Sequence, residues 1–485
     1  MQKVTHINTI TQKSRHLVKK YTKSLFVFHR DLRLDDNSAL HAALEQSKSV
    51  MPCFIFDPRQ IGASNEFKSN NALQFMIESL QDLEAQLAQQ KVRLYIFYGI
   101  TEDIVTQLLA REKIDAVFCN RDYTPFSLKR DEAISHACRQ LGVVFESYAD
   151  TLLHEPEEIL SLSGTPYTIF TAFFKNAVQK SVAEPKKLPR ILAVSFYTKP
   201  CALEQTQTSY EKVVAHDAFN KKIHVHGGRK NGLALLKKIA QQKEYAQTHD
   251  YPALRTSDLS AHHKFGTISI RESYYAIKKE FASNHPLVRQ LYWRDFFTHV
   301  AYHSPFVFGQ PYHEKYKNLP WQNDKHIFDA WCQGKTGFPI VDAGMHQLNQ
   351  TGFMHNRARM IVASFLTKDL HIDWRWGEKY FAQKLVDYDP AVNNGNWQWA
   401  ASTGCDAQPY FRIFNPWLQQ KKFDPECTYI KKWIPELKDI PASMLHRRFD
   451  LKQKAPGSLA KYPLPIVDHT VESKRAKLMY KNCTI

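Results

Sequence analysis

The chain contains 485 residues, of which 43% are hydrophobic, and 65 Lys and Arg against 48 Asp and Glu give it a formal net charge of +17 at pH 7. This length predicts two domains, and the basic excess favours nucleic acid as a partner, although it can also serve solubility alone. No apolar run is long enough to predict a membrane span, and eight cysteines without C-x-x-C spacing exclude a disulfide scaffold and predict a cytoplasmic location.

Residues 1–23 lack acidic side chains and the apolar core of a signal peptide, so we expect a disordered basic leader, with an organelle-targeting segment as the alternative. Five runs rich in β-branched and aromatic residues then alternate with helix-like stretches: SLFVFHR, VMPCFIF, VRLYIFYG, DAVFCN and VVFESYA. This alternation predicts a doubly wound α/β domain with a parallel sheet over residues 24–150. The G-x-G-x-x-G and P-loop motifs are absent, which disfavours a dehydrogenase or a P-loop enzyme.

Residues 151–228 are rich in Pro, Ser, Thr and Lys and predict a long interdomain connector. From Asn231 onward helical periodicity predicts an all-α domain, which we place at residues 229–475. Its candidate helices lie near residues 231–248, 269–283, 286–302, 338–350, 354–368 and 374–386. Two close histidine pairs, His224 with His226 and His262 with His263, have no cysteine or carboxylate at ligand spacing, so we expect hydrogen-bonded or solvated histidines and no metal.

All nine tryptophans follow Val288, and the α/β half has none. A Trp in a helical domain usually packs in the core, but an indole is also easily oxidised by one electron and stacks well on a base or a flat cofactor. Their concentration beside basic residues therefore indicates a nucleic-acid or aromatic-cofactor site.

The stretch from Gly334 to Pro416 places polar residues in unusual positions. Asn356 and Met360 lie four residues apart and share a helix face, while Arg359 is placed to pair with Asp387 or Asp389. The segment PAVNNGN is predicted as a loop, and it precedes two tryptophans. Loops of this kind often place polar groups against ligands.

Within this stretch, GKTGFPIVDAGMHQLNQTGFMHNRARMIVASFL, DWRWGEKYF and NNGNWQWAASTGCDAQPYFRIFNP closely resemble the flavin-binding core of class I photolyases and cryptochromes. With VFHRDLRLDDNSAL and LYWRDFF, the likeness runs from about Ser24 to the end of the helical domain. It implies a Rossmann-like antenna domain joined to a helical domain that encloses a U-shaped FAD. The implied activity is light-driven splitting of cyclobutane pyrimidine dimers in ultraviolet-damaged DNA.

The resemblance also implies residue roles, position by position. FAD contacts are implied at Tyr245, Thr256, Ser257, Asp258, Leu259, Ser260, Arg359, Asp387, Tyr388, Asp389 and Asn393. Asn393 falls where the family places the residue that faces the reactive central-ring nitrogen of the flavin, and Asp387 with Arg359 would form a buried ion pair beside the isoalloxazine. Trp397, Trp374 and Trp321 occupy the positions of the electron-hopping chain of the family.

Contacts to the flipped-out lesion and its backbone are implied at Gln290, Trp293, Arg294, Asn356, Arg357, Met360, Trp399 and Arg412. Three positions depart from the family pattern. Gln290 replaces a customary glutamate, Phe353 replaces a customary Trp, and His249 replaces a customary Arg facing the DNA backbone. We expect each change to weaken DNA affinity modestly.

Two other activities remain as alternatives. A (6-4) photolyase would need two histidines where this chain has Asn356 and Met360, and His355 misses the position by one residue, about 100° around the helix. A cryptochrome-type light sensor often carries an extended C-terminal tail, for which the chain leaves no room beyond Ile485.

The usual antenna region is NRDYTPFSLKRD, with Asn120, Tyr123 and Arg130. For the second chromophore the resemblance favours 5,10-methenyltetrahydrofolate, with a deazaflavin or an empty site as alternatives. We expect a monomer.

Overall fold

The computed structural model describes residues 19–189, 192, 195–203, 207–214, 219–282, 284–406, 411–447 and 462–483. Residues 1–18, most of the expected leader, lie outside this part of the chain. Among the described residues, no helix combines the length and the apolar character that crossing a membrane requires.

Five parallel strands form one sheet in the order β3-β2-β1-β4-β5. The strands are β1 (Tyr21–Phe28), β2 (Ser47–Phe56), β3 (Tyr95–Tyr98), β4 (Ala116–Asn120) and β5 (Val144–Tyr148). The predicted doubly wound α/β fold is thus confirmed.

The expected leader boundary at residue 23 is wrong, because β1 begins at Tyr21, whose ring packs edge-on against Phe118 at a centroid distance of 5.9 Å. Strands β1, β2 and β4 are apolar runs because helices cover both faces of a parallel sheet.

The helices of this domain are α1 (Ser38–Gln46), α2 (Pro58–Ile61), α3 (Asn70–Ala88), α4 (Thr101–Glu112) and α5 (Pro125–Gln140). The described residues of the segment predicted as a connector include α6 (Phe170–Ala177) and α7 (Tyr210–Val214). Helix α6 buries Phe170 and Phe173 in the core of the following domain, so this part of the predicted connector packs as part of the helical domain. The domain boundaries at residues 150 and 228 stay a prediction.

The C-terminal domain is helical, as predicted. Its helices are α8 (Arg229–Lys237), α9 (Tyr245–Thr248), α10 (Ser260–Lys264), α11 (Ile270–Glu280), α12 (Pro286–His303), α13 (Lys325–Gln333), α14 (Pro339–Thr351), α15 (Asn356–Lys368), α16 (Trp374–Lys384), α17 (Pro390–Ala401), α18 (Pro416–Phe423), α19 (Thr428–Trp433), α20 (Ala442–Leu445) and α21 (His469–Asn482). Short 3₁₀ turns lie at Ile239–Gln242, Pro305–Val307, Glu314–Tyr316 and Pro435–Leu437.

Two of our helix predictions need correction. The single helix expected over residues 231–248 divides into α8, a 3₁₀ turn and α9. The segment PAVNNGN is not a loop but the first two turns of α17. Pro390 occupies the first helical position, where it lacks only a donor that would be unpaired anyway, and Asp389 caps the helix by accepting from the amides of Ala391 and Val392.

Buried ion pairs join the two domains. Asp150, next to the end of β5, accepts from Arg33 at 2.5 Å and from Arg271 of α11 at 2.7 Å, and Arg271 also pairs with Asp36 at 3.0 Å. These charges are tolerated in the interior because each has a partner of opposite sign. The network fixes the sheet against α11 and therefore against the helices that α11 packs on.

Candidate flavin and lesion site

A cavity of about 520 Å³ opens in the helical domain between α12, α15, α17 and the loop that leads into α10. Every residue that the resemblance implied as an FAD contact lines it: Tyr245, Thr256, Ser257, Asp258, Leu259, Ser260, Arg359, Asp387, Tyr388, Asp389 and Asn393. Most of the implied lesion contacts line it too: Gln290, Trp293, Arg294, Asn356, Arg357, Met360 and Trp399. Residues separated by more than 150 positions thus share one cavity of ligand size.

Three of the implied residues do not line this cavity. Arg412 is exposed and lies over the ring of Trp399 at 5.2 Å, so it borders the opening. Trp374 is buried at the start of α16, and Trp321 packs partly buried against Tyr480 of α21. Trp397 does line the cavity, and its ring packs directly on the backbone of α16 at Gly377, one turn after Trp374.

Arg359 and Asp387 form the ion pair that the family resemblance implied. The guanidinium Nη2 lies 2.9 Å from Asp387 Oδ2, and its Nε donates to the carbonyl of Met354 at 2.7 Å. Ser260 also donates to Asp387 Oδ2 at 2.7 Å. The Asp387 carboxylate therefore has a fixed orientation in the cavity wall. Its charge is neutralised by Arg359, which is itself held in place by the carbonyl of Met354.

The side-chain amide of Asn393 has a defined orientation. Its Nδ2 donates to the backbone carbonyl of Glu378 at 3.1 Å, and the neighbouring Asn394 donates to the Glu378 carboxyl group at 2.9 Å. Since the amide nitrogen of Asn393 is used on α16, its carbonyl oxygen is left to accept a hydrogen bond from a donor in the cavity.

The loop before α10 presents hydroxyl groups to the cavity. Thr256 and Ser257 have no hydrogen-bond partner within the part of the chain that the structure describes. Asp258 holds the loop in place with a left-handed backbone (φ 53°), and its carboxylate is already paired with His224 at 3.0 Å and Arg255 at 2.6 Å. The free hydroxyls are the donors available to a phosphate here, whereas the Asp258 carboxylate is occupied.

Asp389 is also occupied. One of its carboxylate oxygens caps α17, and the other lies 2.6 Å from Arg30 of the N-terminal domain. Burial alone would raise the pKa of Asp389, but Arg30 and Lys264 hold it well below its usual range. Its side chain therefore joins the two domains.

Trp293 offers only one face to the cavity. Phe170 of α6 covers the other face, stacked at a centroid distance of 3.6 Å and an interplanar angle of 7°. Sequence reasoning missed Phe170, because it belongs to the predicted connector. The stacking fixes the indole plane and therefore the surface that a base would meet.

The cavity-facing start of α15 matches the prediction. Asn356 is exposed and its amide lies 3.8 Å from the Met360 sulfur, so the two share one face. His355 is buried instead and caps the helix by accepting from the amide of Arg357. Burial lowers the pKa of His355 to about 4, which keeps its imidazole neutral. Arg357 is paired with Asp250 at 2.5 Å.

The departures from the family pattern each have a place in the cavity wall. Gln290 is exposed at the opening. Phe353 stacks on His224 at 4.1 Å, with the Arg359 guanidinium 5.2 Å from its ring, and His249 stacks on Tyr245 at 4.9 Å. Arg294, implied as a lesion contact, donates to the carbonyl of Thr151 at 2.8 Å and so also anchors the connector.

A second, larger cavity of about 1080 Å³ lies between the carboxyl ends of the strands and the helical domain. Aromatic side chains line it, among them Phe56, Phe126, Phe328, Trp376 and Tyr380. Lys264 and Tyr388 line both cavities and so form the wall between them.

Only part of the expected antenna segment reaches the second cavity. Thr124, Pro125 and Phe126 line it. Asn120 and Tyr123 are buried elsewhere in hydrogen bonds to Asp31 and Glu155, respectively.

Four histidines singled out in the sequence are hydrogen-bonded, as expected. His224 pairs with Asp258, His226 with Glu78, His262 with Thr267 and His263 with Ser273.

Among the described residues, His29, Cys119 and Asp131 bring potential metal-ligand atoms within 4.8 Å of one another. Arg130 donates both to His29 Nδ1 at 3.1 Å and to Asp131 at 2.8 Å, and this guanidinium disfavours a further cation. Burial also holds the pKa of the Cys119 thiol well above its usual range.

Comparison with known proteins agrees with this geometry. Residues 287–482 match the model for the FAD binding domain of DNA photolyase, and residues 24–190 match the DNA photolyase model. The deoxyribodipyrimidine photo-lyase of Synechococcus sp. is 37% identical over 472 residues, covering 94% of this chain and 96% of that protein. The enzyme of the same name from Escherichia coli is 38% identical over 464 residues, covering 92% and 96%.

Solved structures agree as well. The archaeal photolyase from Sulfolobus tokodaii, described with two FAD molecules, superposes with a TM-score of 0.85 at 44% identity, covering 95% of this chain and 100% of that one. The class III photolyase from Agrobacterium tumefaciens gives 0.85 at 34% identity (97% and 99% covered), and the Synechocystis sp. cryptochrome gives 0.84 at 29% (96% and 100% covered). The chain therefore belongs to the photolyase/cryptochrome family, with an N-terminal DNA photolyase domain and a C-terminal FAD-binding domain.

Proposed function

We propose that the protein is a deoxyribodipyrimidine photo-lyase, an enzyme that uses light and FAD to split cyclobutane pyrimidine dimers in ultraviolet-damaged DNA. The observation that carries the proposal is the 520 Å³ cavity, in which the implied FAD contacts and most of the implied lesion contacts meet. Relatives that match nearly the whole chain bear this enzyme name, which supports the same reaction here.

The donor set of the cavity fits a flavin dinucleotide. Thr256, Ser257 and the backbone of their loop can hold the phosphates, and the Arg359–Asp387 pair can contact the polar edge of the isoalloxazine. The free carbonyl oxygen of Asn393 would accept from the N–H of the central ring. When bound and reduced, FAD supplies one electron to the dimer in light and takes it back after the ring opens.

The remaining cavity residues act on the lesion without acid–base chemistry. Trp293 and Trp399 give flat surfaces for the extruded pyrimidines, Gln290 and Asn356 give amides for their polar edges, and Met360 fills the space between. The exposed Arg412 is placed for a phosphate, and Arg357 would join it after leaving Asp250.

We also propose that Trp397, Trp374 and Trp321 pass electrons inward when the flavin must be reduced. Trp397 lines the cavity, and Trp321 is partly exposed near α21.

The (6-4) photolyase alternative is disfavoured by α15. The cavity-facing positions hold Asn356 and Met360, and the nearby His355 is buried in a helix cap. The light-sensor alternative has support from the cryptochrome structure, which shares this fold. A light sensor does not need the lesion-side residues of the cavity, so their presence favours the repair enzyme.

The deciding experiment uses FAD-loaded protein reduced without oxygen and mixed with an oligonucleotide that carries one cyclobutane thymine dimer. We expect blue light, and not darkness, to restore the thymine absorbance. A matched oligonucleotide with a (6-4) lesion should stay unrepaired. Repair of only the (6-4) lesion, or of neither lesion, would contradict the proposal.

A variant pair tests the lesion side. Trp399→Ala removes one stacking surface and should weaken binding of the damaged oligonucleotide by about 1–3 kcal/mol. Trp433→Ala removes a tryptophan that packs on Tyr429 away from the cavity and should leave binding unchanged. Equal effects of both substitutions would show that Trp399 has no special role.

For the second cavity we propose a light-harvesting chromophore, 5,10-methenyltetrahydrofolate. Aromatic rings line the cavity, and Lys264 and Arg59 provide positive charge for an anionic group. Denaturation should release a pteridine absorbance, identified by mass spectrometry. Release of two flavins per chain, as the description of the Sulfolobus tokodaii photolyase suggests for that protein, would contradict the folate. Release of one flavin alone would contradict any second chromophore.

Three finer assignments are also proposals. We propose class I within the family on the motif resemblance; a sequence tree that groups the chain with class III would contradict it. We propose a cytoplasmic location, supported by eight free thiols, seven of them buried. We propose a monomer, which light scattering of the purified protein would test.

A further inference from the structure

The two arginines that the proposed function gives to the DNA backbone lie in different environments. Arg412 is exposed above the ring of Trp399. The side chain of Arg357 is only 14% exposed, with Nη2 2.5 Å from Asp250 Oδ1 and the guanidinium carbon 4.3 Å from the ring centroid of Phe423. Arg412 can therefore meet a phosphate as it stands, whereas Arg357 must first leave a carboxylate.

Asp250 follows α9 and is held in front of α15 by its two chain neighbours. His249 donates from Nδ1 to the carbonyl of Tyr245 at 2.7 Å, and its Nε2 lies 3.4 Å from Asp250 Oδ1. The ring of Tyr251 meets Phe423 edge-on at a centroid distance of 6.2 Å. The Asp250 carboxylate, which is 30% exposed, therefore keeps its place at the cavity mouth.

The charge of Arg357 depends on this carboxylate. Arg357 belongs to the first turn of α15, where the helix dipole disfavours a cation, and its Nε is buried without a hydrogen-bond partner in the part of the chain that the structure describes. A carboxylate and a phosphate offer oxygens of the same kind to a guanidinium. A DNA phosphate that reaches Arg357 must therefore replace Asp250.

We propose that Asp250 is a positioning residue that competes with the DNA phosphate for Arg357, which keeps the complex weak enough for repaired DNA to leave. The proposal rests on the proposed function. When DNA binds, the contact between Arg357 and the phosphate is partly offset by the loss of the ion pair with Asp250. When DNA leaves, the carboxylate takes the guanidinium back. Asp250 thus lowers the affinity for damaged and repaired DNA alike.

Binding measured in darkness tests the competition. FAD-loaded protein is titrated against a fluorescent oligonucleotide with one cyclobutane thymine dimer and against a matched oligonucleotide without it. Asp250→Asn should tighten both complexes about three- to tenfold and slow dissociation from the matched oligonucleotide by a similar factor. The slope of log affinity against log salt should steepen by up to about one, because no carboxylate is left to take up a cation when Arg357 moves.

Glu244→Gln is the matched control. Glu244 is an exposed carboxylate of the same segment that forms no ion pair with Arg357. Its substitution removes the same charge and should change both affinities by less than about twofold, because an exposed charge is screened by salt.

A double-substitution cycle separates competition from a simple loss of negative charge. In Arg357→Gln protein, Asp250→Asn should have no larger effect than Glu244→Gln, because no guanidinium is left to compete for. A merely structural defect at Asp250 would weaken binding and not tighten it. Equal tightening by Asp250→Asn with and without Arg357 overturns the proposal, and so does an unchanged or weaker affinity in Asp250→Asn alone.

Failure of the proposed function would look different. Wild-type protein that binds the dimer oligonucleotide no better than the matched one, and repairs no dimer in light, would remove the proposed function. Selective binding and light-dependent repair by wild type, together with no tightening in Asp250→Asn, would leave the proposed function standing and remove the competition alone.

Discussion

At the scale of single residues, orientation decides what a side chain can do. An asparagine amide carries an NH2 group with two donors and an oxygen with two acceptor positions, and its hydrogen bonds to neighbouring groups decide which end faces a ligand. In Asn393 the hydrogen bond to the Glu378 carbonyl leaves the amide oxygen for the cavity.

Replacing Asn393 by Asp should disturb the site more than its small change in size suggests. A carboxylate cannot donate to the Glu378 carbonyl, so two acceptors would face each other at a buried position. We expect a loss of about 1–3 kcal/mol in the free energy of unfolding, and a lower FAD content after purification. Denaturant titration and the ratio of flavin to protein absorbance measure both. Wild-type values in Asn393→Asp would contradict the assigned orientation.

Glu378 gives the helical domain a pH dependence near neutrality. Burial raises its pKa to about 7, although the hydrogen bond from Asn394 acts in the opposite direction. Because the folded pKa lies above the ordinary value of 4.5, the carboxyl group stays neutral in the fold up to about pH 7, and stability is lost as the pH rises from about 4.5 through 7.

Glu378→Gln should remove this dependence, because the amide keeps the neutral shape. At pH 8 we expect the variant to exceed wild type by up to about 3 kcal/mol in the free energy of unfolding, and at pH 5 to match it. Tryptophan fluorescence is the suitable probe, since all nine tryptophans lie in the helical half. A wild-type advantage at pH 8 would contradict the prediction.

At the scale of elements, close helix packing sets the position of Trp397. Helix α16 presents Gly377 to the indole, and a Cβ at this position would lie 2.2 Å from Trp397 Cη2. Helix α17 likewise uses Gly395 to admit Phe297 of α12. The two glycines therefore let the three helices approach closely enough to wall the cavity.

Gly377→Ala should separate α16 from α17. The gain in helix propensity, about 1 kcal/mol, is smaller than the expected overpacking penalty of about 1–3 kcal/mol, so we expect destabilisation and a shifted Trp397 emission. Gly344→Ala in α14 is the control, since its Cβ would lie 3.0 Å from a methyl group of Val362. Its unfolding midpoint should stay the same or rise. Equal unfolding midpoints in Gly377→Ala and Gly344→Ala would show that the Trp397 ring moves aside for the added methyl group, and would contradict the prediction.

At the scale of the whole molecule, buried charges hold the two domains together. Burial alone would raise the pKa of Asp150, but Arg33 and Arg271 lower it to about 2. A depressed carboxylate pKa gives stability that is present above the ordinary value of 3.8 and is lost as the pH falls through about 2.

Asp150→Asn should therefore lower stability at pH 7 by about 3–5 kcal/mol, because Arg33 and Arg271 lose a buried partner. The same substitution should flatten the stability profile between pH 4 and pH 2. Asp103→Asn, at an exposed position of α4, is the control and should cost less than about 1 kcal/mol. Unfolding followed by circular dichroism across this pH range measures both. An unchanged acid limb in Asp150→Asn would contradict the assignment.

The sequence by itself determined the two-part fold and the composition of the main site. Apolar runs separated by helical stretches can satisfy their backbone hydrogen bonds and cover both sheet faces only as a parallel α/β layer, so the five strands were predictable. Long local motifs located the cavity residues of α15 and the Arg359–Asp387 pair. Helix α17 was missed because Asn and Gly favour loops, although its Asp–Pro start is a helix signal.

Only the tertiary structure decided what joins distant segments. Asp389 meets Arg30 across 359 residues, Phe170 covers Trp293, and Asp250 pairs with Arg357 at the cavity mouth. Local periodicity reports which face of an element is buried and carries no information about the partner that buries it. The partner follows from packing whole elements against one another, and that packing fixed which carboxylates are free, which indole faces are open and where the second cavity lies.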